Sequence, residues 1–227
     1  MTAPALASFS GGKDSMLALH RARAAGAAVR WLLAMLEEDG LRLRSHGVPL
    51  ALLQAQADAL GLELVTAAAS WDGYQAAFVS CLAQLAARGA RTAVFGDIDL
   101  QPHRDWEEQV CAQVGIAPLL PLWAQQRIDL AREFLDLGFA ARVVCVDSRR
   151  LADDYCGRLF DADFIASLPP GVDACGENGE FHTFVFDGPG FSRPVRHRVR
   201  GLVPWTSPQR FGAVRYVFAE LEADDAR

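Results

Sequence analysis

The sequence contains almost no lysine. Of its 22 Lys and Arg residues, 21 are arginines, and the single lysine, Lys13, lies in a glycine-rich turn. The basic residues are outnumbered by 28 Asp and Glu residues, which leaves a net charge of −6. This balance excludes the overall basic field with which many proteins hold nucleic acid, so we do not expect nucleic acid as a partner.

Three other signals are missing. No apolar run reaches the ~18 residues of a transmembrane helix, and the first residues lack the basic and apolar segments of a secretory signal. The five cysteines include no Cys-x-x-Cys pair and no metal-ligand spacing. We therefore expect no membrane partner, a cytoplasmic location and reduced thiols that pack as small core residues.

The first half of the chain alternates short apolar runs with longer helical patterns. Strands separated by helices in this way form parallel sheets, so we predict an α/β fold with a Rossmann-like sheet. Ligands bind such sheets at the carboxyl ends of the strands. The predicted strands are residues 5–9, 29–35, 63–67, 92–95 and 117–120, and the predicted helices are residues 16–25, 49–60, 74–88 and 104–114.

The pattern changes near residue 123, where Gly and Pro begin to separate shorter pieces. We therefore predict two domains, residues 1–122 with the parallel sheet and residues 123–227 as a smaller α/β domain. In the second domain we predict a helix at residues 127–137 and strands at residues 141–146, 181–186, 195–203 and 214–221.

The first predicted strand runs directly into a glycine-rich loop and then a helix. The amide groups and dipole of a helix N-terminus attract anions, and two glycines permit close approach of the backbone. The loop is not a Walker A motif, because Ala7 stands where that motif needs glycine and Asp14 follows the lysine. The alternative is a tight turn that caps the helix. The loop consists of Ser10, Gly11, Gly12, Lys13, Asp14 and Ser15.

A second polar segment lies far downstream, within residues 173–184. Two carboxylates, an amide, an imidazole and a hydroxyl fall within seven residues. Strand alternation places Glu180 and His182 on one face, where such a pair can move protons or orient a substrate. A polar hairpin with solvated side chains explains this density of polar residues equally well. The polar residues are Glu177, Asn178, Glu180, His182 and Thr183.

The string SGGKDS resembles the PP-loop of ATP pyrophosphatases, which cleave ATP to AMP and pyrophosphate. Together with GENGEFHTF at residues 176–184, it resembles the diphthine–ammonia ligase family, the ATP-binding domain 4 group of these enzymes. The family's landmarks are also similar at residues 45–49, 96–98 and 121–123. The resemblance implies amidation of the diphthine carboxylate on elongation factor 2 through an acyl-adenylate. ATP, ammonia and a carboxylate, small or protein-borne, are the implied ligands.

The resemblance also implies roles for individual residues. Lys13 and the loop would hold the phosphates, and Asp14 and Asp97 would bind Mg²⁺. The backbone of Ala34 and Met35 would contact adenine, and Gly96 would admit the nucleotide. The carboxylate and ammonia would be positioned by Glu177, Asn178, Glu180 and His182.

The sequence is compatible with other functions as well. A sulfur-transfer enzyme acting on tRNA uses a similar loop, although such enzymes usually add paired cysteines. A non-catalytic ATP-binding sensor and a homodimeric assembly are also compatible with the sequence. Residues without an assigned role are His46, Arg104, Trp106, Cys175 and the arginines of residues 193–200, for which ordinary packing or solvation competes with function.

Overall fold

The computed structural model describes residues 3–224, and its first half is a five-stranded parallel sheet. The strand order is β3-β2-β1-β4-β5, so the first strand lies in the middle of the sheet. This order confirms the predicted α/β fold with a Rossmann-like sheet. The strands are β1 (Pro4–Ser8), β2 (Ala28–Leu36), β3 (Glu63–Ala68), β4 (Thr92–Val94) and β5 (Ala117–Leu119).

Four helices cover the two faces of this sheet. Side chains along a buried strand alternate between the faces, so an apolar strand needs a covering layer on both sides. Ala5 and Ala7 face the core formed with the first two helices, whereas Leu6 faces the core formed with the next two. The second helix ends where Gly61 adopts a left-handed conformation (φ 66°). The helices are α1 (Lys13–Ala24), α2 (Leu50–Leu60), α3 (Tyr74–Ala87) and α4 (Gln101–Ala112).

The second half of the chain forms a separate antiparallel sheet. Its order is β7-β6-β10-β9, with β8 also paired to β6. The sequence missed β7 and α6, although the carboxylate of Asp161 marks the start of α6 by accepting the Phe164 amide. The elements are α5 (Arg127–Asp136), β6 (Ala140–Asp147), β7 (Leu159–Phe160), α6 (Ala162–Ser167), β8 (Phe181–Asp187), β9 (His197–Thr206) and β10 (Arg215–Ala223), with 3-10 turns at Asp153–Tyr155 and Gln209–Phe211.

The two halves share one hydrophobic core. Leu17 and Leu53 of the first half belong to the same buried cluster as Phe134 and Phe184 of the second. The division at residue 122 therefore stays a proposal, since the packing is continuous across it. Among residues 3–224, no helix is both long enough and apolar enough to cross a membrane.

Candidate functional site

A cavity of about 430 Å³ lies where the two halves meet. It opens at the carboxyl ends of the neighbouring strands β1 and β4, from which helices leave toward opposite faces of the sheet. Parallel α/β sheets bind ligands at this kind of topological switch point. The cavity is lined by Ser10, Lys13, Asp14, His46, Asp97, Leu100, His103, Cys175, Gly176, Glu177, Asn178, Gly179, Phe181, His182 and Thr183.

The glycine-rich loop joins β1 to α1 as the sequence predicts. Gly11 has a φ of +69°, which few residues other than glycine adopt. The hydroxyl of Ser10 accepts the Gly12 amide at 3.3 Å and lies 3.2 Å from the Ser15 hydroxyl. These contacts hold the loop in a tight turn at the N-terminus of α1.

Lys13 is buried rather than exposed at the mouth of the cavity, with 4% of its surface accessible. Its Nζ pairs with Asp14 Oδ2 at 2.7 Å and donates to the Cys175 carbonyl. The rings of Phe160 and Phe181 lie 5.9 and 5.5 Å from this ammonium. Burial opposes the charge, but Asp14 and other negative groups outweigh it and raise the pKa of Lys13 above its ordinary value.

Two glycines of the site allow other protein atoms to approach closely. A Cβ on Gly12 would lie 2.6 Å from the His46 ring and 3.1 Å from the Thr183 carbonyl. A Cβ on Gly96 would lie 2.8 Å from the amide nitrogen of Ser15. The missing side chain of Gly96 makes room for the first turn of α1, and its expected role in admitting the nucleotide stays a prediction.

Carboxylates crowd one side of the cavity. Burial, and secondarily the negative charge of Asp14, raises the pKa of Glu177 to about 7. Burial also raises the pKa of Asp14, although the Lys13 ammonium partly offsets it. Glu177 accepts the amide of Ile98, and this bond joins the downstream acidic loop to the segment between β4 and α4. A cation in this space would relieve the repulsion among these groups.

Asp97 belongs to a cluster that the sequence revealed only in part. Its Oδ1 lies 2.7 Å from Nδ1 of His103, on the first turn of α4. Burial raises the pKa of Glu107 to about 10, and its hydrogen bond with Asp97 adds to the rise. Burial acts to raise the pKa of Asp97 too, but hydrogen bonds from His103 and Glu107 hold it below its ordinary value. Of these two carboxyl groups, Glu107 is therefore the one that holds a proton more tightly. The sequence pattern singled out neither His103 nor Glu107.

Glu180 does not line the cavity, contrary to its predicted role beside His182. The carboxylate is fully buried and accepts the Asn178 amide at 3.0 Å, the Asn178 side-chain amide at 3.1 Å and the Asp173 amide at 3.4 Å. Glu180 lies just before β8, and its side chain bends back toward Asp173 and Asn178 of its own loop. It shapes the loop that presents Glu177, while His182 faces the cavity.

His182 stands beside His46, with ring centroids 4.6 Å apart. His46 Nδ1 donates to the Thr183 carbonyl at 2.9 Å, and burial lowers the pKa of His46 to about 4. Burial, followed by the neighbouring His46 and Lys13, keeps the pKa of His182 well below its ordinary value. Both imidazoles are therefore neutral hydrogen-bonding groups. The structure assigns His46 to the cavity, where the sequence had left it open.

A smaller cavity of about 160 Å³ adjoins the first and shares Ser10 and His46 with it. Met35 lines it, but Ala34 is fully buried in the core below and does not. The guanidinium of Arg44 stacks on the Trp71 ring at 4.7 Å at this site. The sequence signalled Met35 but neither Arg44 nor Trp71. Its remaining lining residues are Ser8, Phe9, Leu33, Leu43, Ser45 and Tyr74.

Other candidates lie outside these cavities. Arg104 pairs with Glu108 and stacks on Trp123, and Trp106 packs against Phe78. The arginine-rich strand is largely solvated, with Arg198 and Arg200 both paired to Glu222.

All five cysteines are buried free thiols. Cys175 contributes to the wall of the larger cavity, but burial raises its pKa to about 12, in keeping with an unreactive thiol.

The chain matches two family models, of the diphthamide synthase N-terminal domain at residues 3–118 and of the C-terminal domain at residues 126–206. The diphthine–ammonia ligases of Homo sapiens and Bos taurus are 32% and 31% identical to it over 124 residues. That segment is 52% of this chain and 46% of each relative, so the chain spans about half the length of the curated relatives it matches.

A crystal structure of a predicted subunit of tRNA methyltransferase from Methanocaldococcus jannaschii superimposes with a TM-score of 0.43 and 17% identity, over 62% of this chain and 80% of that chain. The resemblance seen in the sequence is confirmed by the family models, one of which alone covers half of the chain. This chain belongs to the diphthamide synthase family.

Proposed function

We propose that this protein is an ATP-dependent, AMP-forming ligase that amidates a carboxylate with ammonia. The observation that supports the proposal is a single cavity shared by the glycine-rich loop and the Glu177 loop. One wall offers a helix N-terminus and an ammonium ion for phosphates. The opposite wall offers a carboxylate, an amide and two neutral imidazoles for the second substrate.

The nucleotide would span both cavities. The smaller one, with the stacked Arg44 and Trp71, suits a planar base, and Ser10 lies on the boundary toward the phosphates. The carboxylate substrate attacks the α-phosphorus, and the bond to pyrophosphate breaks to give an acyl-adenylate. Lys13 stabilises the charge that develops on the departing pyrophosphate.

Ammonia then attacks the acyl carbon, and the bond to AMP breaks to leave the amide. The nitrogen must lose a proton, and Glu177 is the group best matched to accept it. Its pKa of about 7 lies near the working pH, whereas burial makes His46 and His182 weak bases.

Asp14 and Asp97 are the candidate ligands for Mg²⁺, which prefers oxygen donors and would neutralise the phosphates when bound. Both line the cavity, where burial and, less strongly, the charges of Asp173 and Asp97 raise the pKa of Asp14 against the opposing effect of Lys13. Within residues 3–224, no three His, Cys, Asp or Glu side chains are grouped as a metal site. Phosphate oxygens would supply the other ligands, as is usual for this ion.

The test is to incubate the protein with α-labelled ATP, ammonium and a panel of carboxylic acids. We expect labelled AMP, pyrophosphate and the amide in equal amounts, and AMP only when an acid is present. Release of ADP would contradict the proposal. ATP binding without turnover across the panel would favour the non-catalytic sensor. Transfer of sulfur to tRNA would favour the sulfur-transfer enzyme.

A further inference from the structure

Apart from its ion pair with Asp14, the only lysine of the chain is contacted mainly by the second half of the molecule. Its amide donates to the Thr183 hydroxyl at 3.0 Å, and its Nζ donates to the Cys175 carbonyl. The two aromatic rings beside the ammonium, Phe160 and Phe181, also follow residue 122. The position of Lys13 therefore depends on residues more than a hundred positions away in the sequence.

Strand β8 runs along the glycine-rich loop and is bonded to it. The Val185 amide donates to the Gly11 carbonyl at 2.9 Å. Gln56 is fully buried on α2, and its Nε2 donates to the carbonyls of Gly11 and Val185 at 3.0 and 2.5 Å. The carbonyl of Thr183 accepts His46 on the same stretch of strand. Thr183 is thus fixed by its backbone beside the loop that it contacts.

The hydroxyl of Thr183 meets a backbone group that the helix cannot satisfy itself. Lys13 is the first residue of α1, and amides in the first turn of a helix have no intrahelical partner. Threonine on a strand has few allowed rotamers, so its hydroxyl is held in one place. Both Lys13 and Thr183 are buried, with 4% and 2% of their surfaces exposed.

We propose that Thr183 is a positioning residue of the phosphate site, and that β8 makes the second half of the chain a structural part of that site. The proposal rests on the ATP-dependent function proposed above. Thr183 acts through the backbone of Lys13, keeping the loop in its phosphate-binding shape before ATP arrives. The second half then does more than present the acceptor substrate.

The test compares Thr183→Val with Thr183→Ser in the full chain. Valine keeps the shape of threonine but leaves the buried Lys13 amide without a partner, which commonly costs about tenfold or more in an equilibrium. We expect the KM for ATP to rise about tenfold in T183V, with kcat within about threefold of wild type. T183S keeps the acceptor and should restore the KM to within about twofold.

Thr206→Val, at an exposed position on β9, is the matched control and should leave both constants unchanged. A purely structural role for Thr183 would lower the melting temperature and the active fraction without moving the KM for ATP, and this result would overturn the proposal. Calorimetric titration with ATP separates the two proposals. Equal ATP affinity in T183V and wild type refutes the positioning role alone, whereas ATP binding without AMP formation refutes the ligase alone.

Discussion

Glu177 and Glu180 are three residues apart in one loop, yet their environments differ completely. Glu177 lines the cavity beside other carboxylates and has a pKa raised to about 7. Glu180 is fully buried and accepts hydrogen bonds from two backbone amides and the Asn178 side chain. One carboxylate is available for chemistry, while the other builds the loop that carries it.

The glycine-rich loop and the Glu177 loop can be compared in the same way, by the residues that hold each loop in place. The first is a short turn before a helix, in which Ser10 contacts Gly12 and to which Thr183 and Val185 of β8 are bonded. The second needs Asp173, whose carboxylate accepts the Cys175 and Glu177 amides, and Arg127, which pairs with Asp173 at 2.8 Å. Dense polar residues therefore do not all belong to the reacting surface, because some of them hold the others in place.

The largest effect is expected at Lys13. Lys13→Ala removes the positive charge beside the phosphates and leaves Asp14 without its partner, so AMP formation should fall by about 100- to 1,000-fold. Lys13→Arg keeps the charge but places a bulkier planar group between Asp14 and two aromatic rings, and should not restore activity. The measurement is AMP release from α-labelled ATP, with melting temperature as the control. Full AMP release by K13A would refute the role of this lysine.

Glu177→Gln should come next, since it keeps the size of the side chain but cannot accept a proton. We expect product formation to fall by about 100-fold while ATP affinity changes little. The matched variant is Asn178→Ala, which removes a cavity-lining amide without changing charge and should cost less. Wild-type amidation by E177Q would show that another group accepts the proton.

The pH dependence of activity is a third test, in which we expect activity to change by about tenfold. Activity that needs ionised Glu177 should rise with pH, with a midpoint near its pKa of about 7. Because this pKa is raised in the folded state, folding binds a proton between the unfolded and folded pKa values, and stability falls as pH rises through that window. E177Q should lose both effects, and an unchanged profile in E177Q would assign the limb to a different group, such as His103.

The smallest effect on catalysis is expected at Glu180. Glu180→Gln replaces a carboxyl group that accepts three hydrogen bonds by an amide, so thermal stability should fall by about 3–8 °C. ATP affinity and kcat should stay within about threefold of wild type in the folded fraction. A loss of activity as large as that of E177Q, without a change in melting temperature, would return Glu180 to the reacting groups.

Much of the fold could be predicted because it depends on local periodicity. Strands β1 to β5 and their helices lie within a few residues of the predicted bounds, since buried strands and amphipathic helices repeat with different periods. The elements that were missed, β7 and α6, have two and six residues, too few for a period to show. Strand β9 continues to Thr206 through Pro204 because an edge strand tolerates proline.

The sequence alone identified the glycine-rich loop, its lysine and the family, because each of these rests on consecutive residues. Only the tertiary structure decided which polar residues face the cavity, since Glu177 and Glu180 differ by the contacts that surround them. It also revealed the hydrogen bonds that Gln56 and Thr183 make to the glycine-rich loop, across 45 and 170 residues. Hydrogen bonds between distant segments form only when the core brings the segments together, so sequence patterns within one segment do not record them.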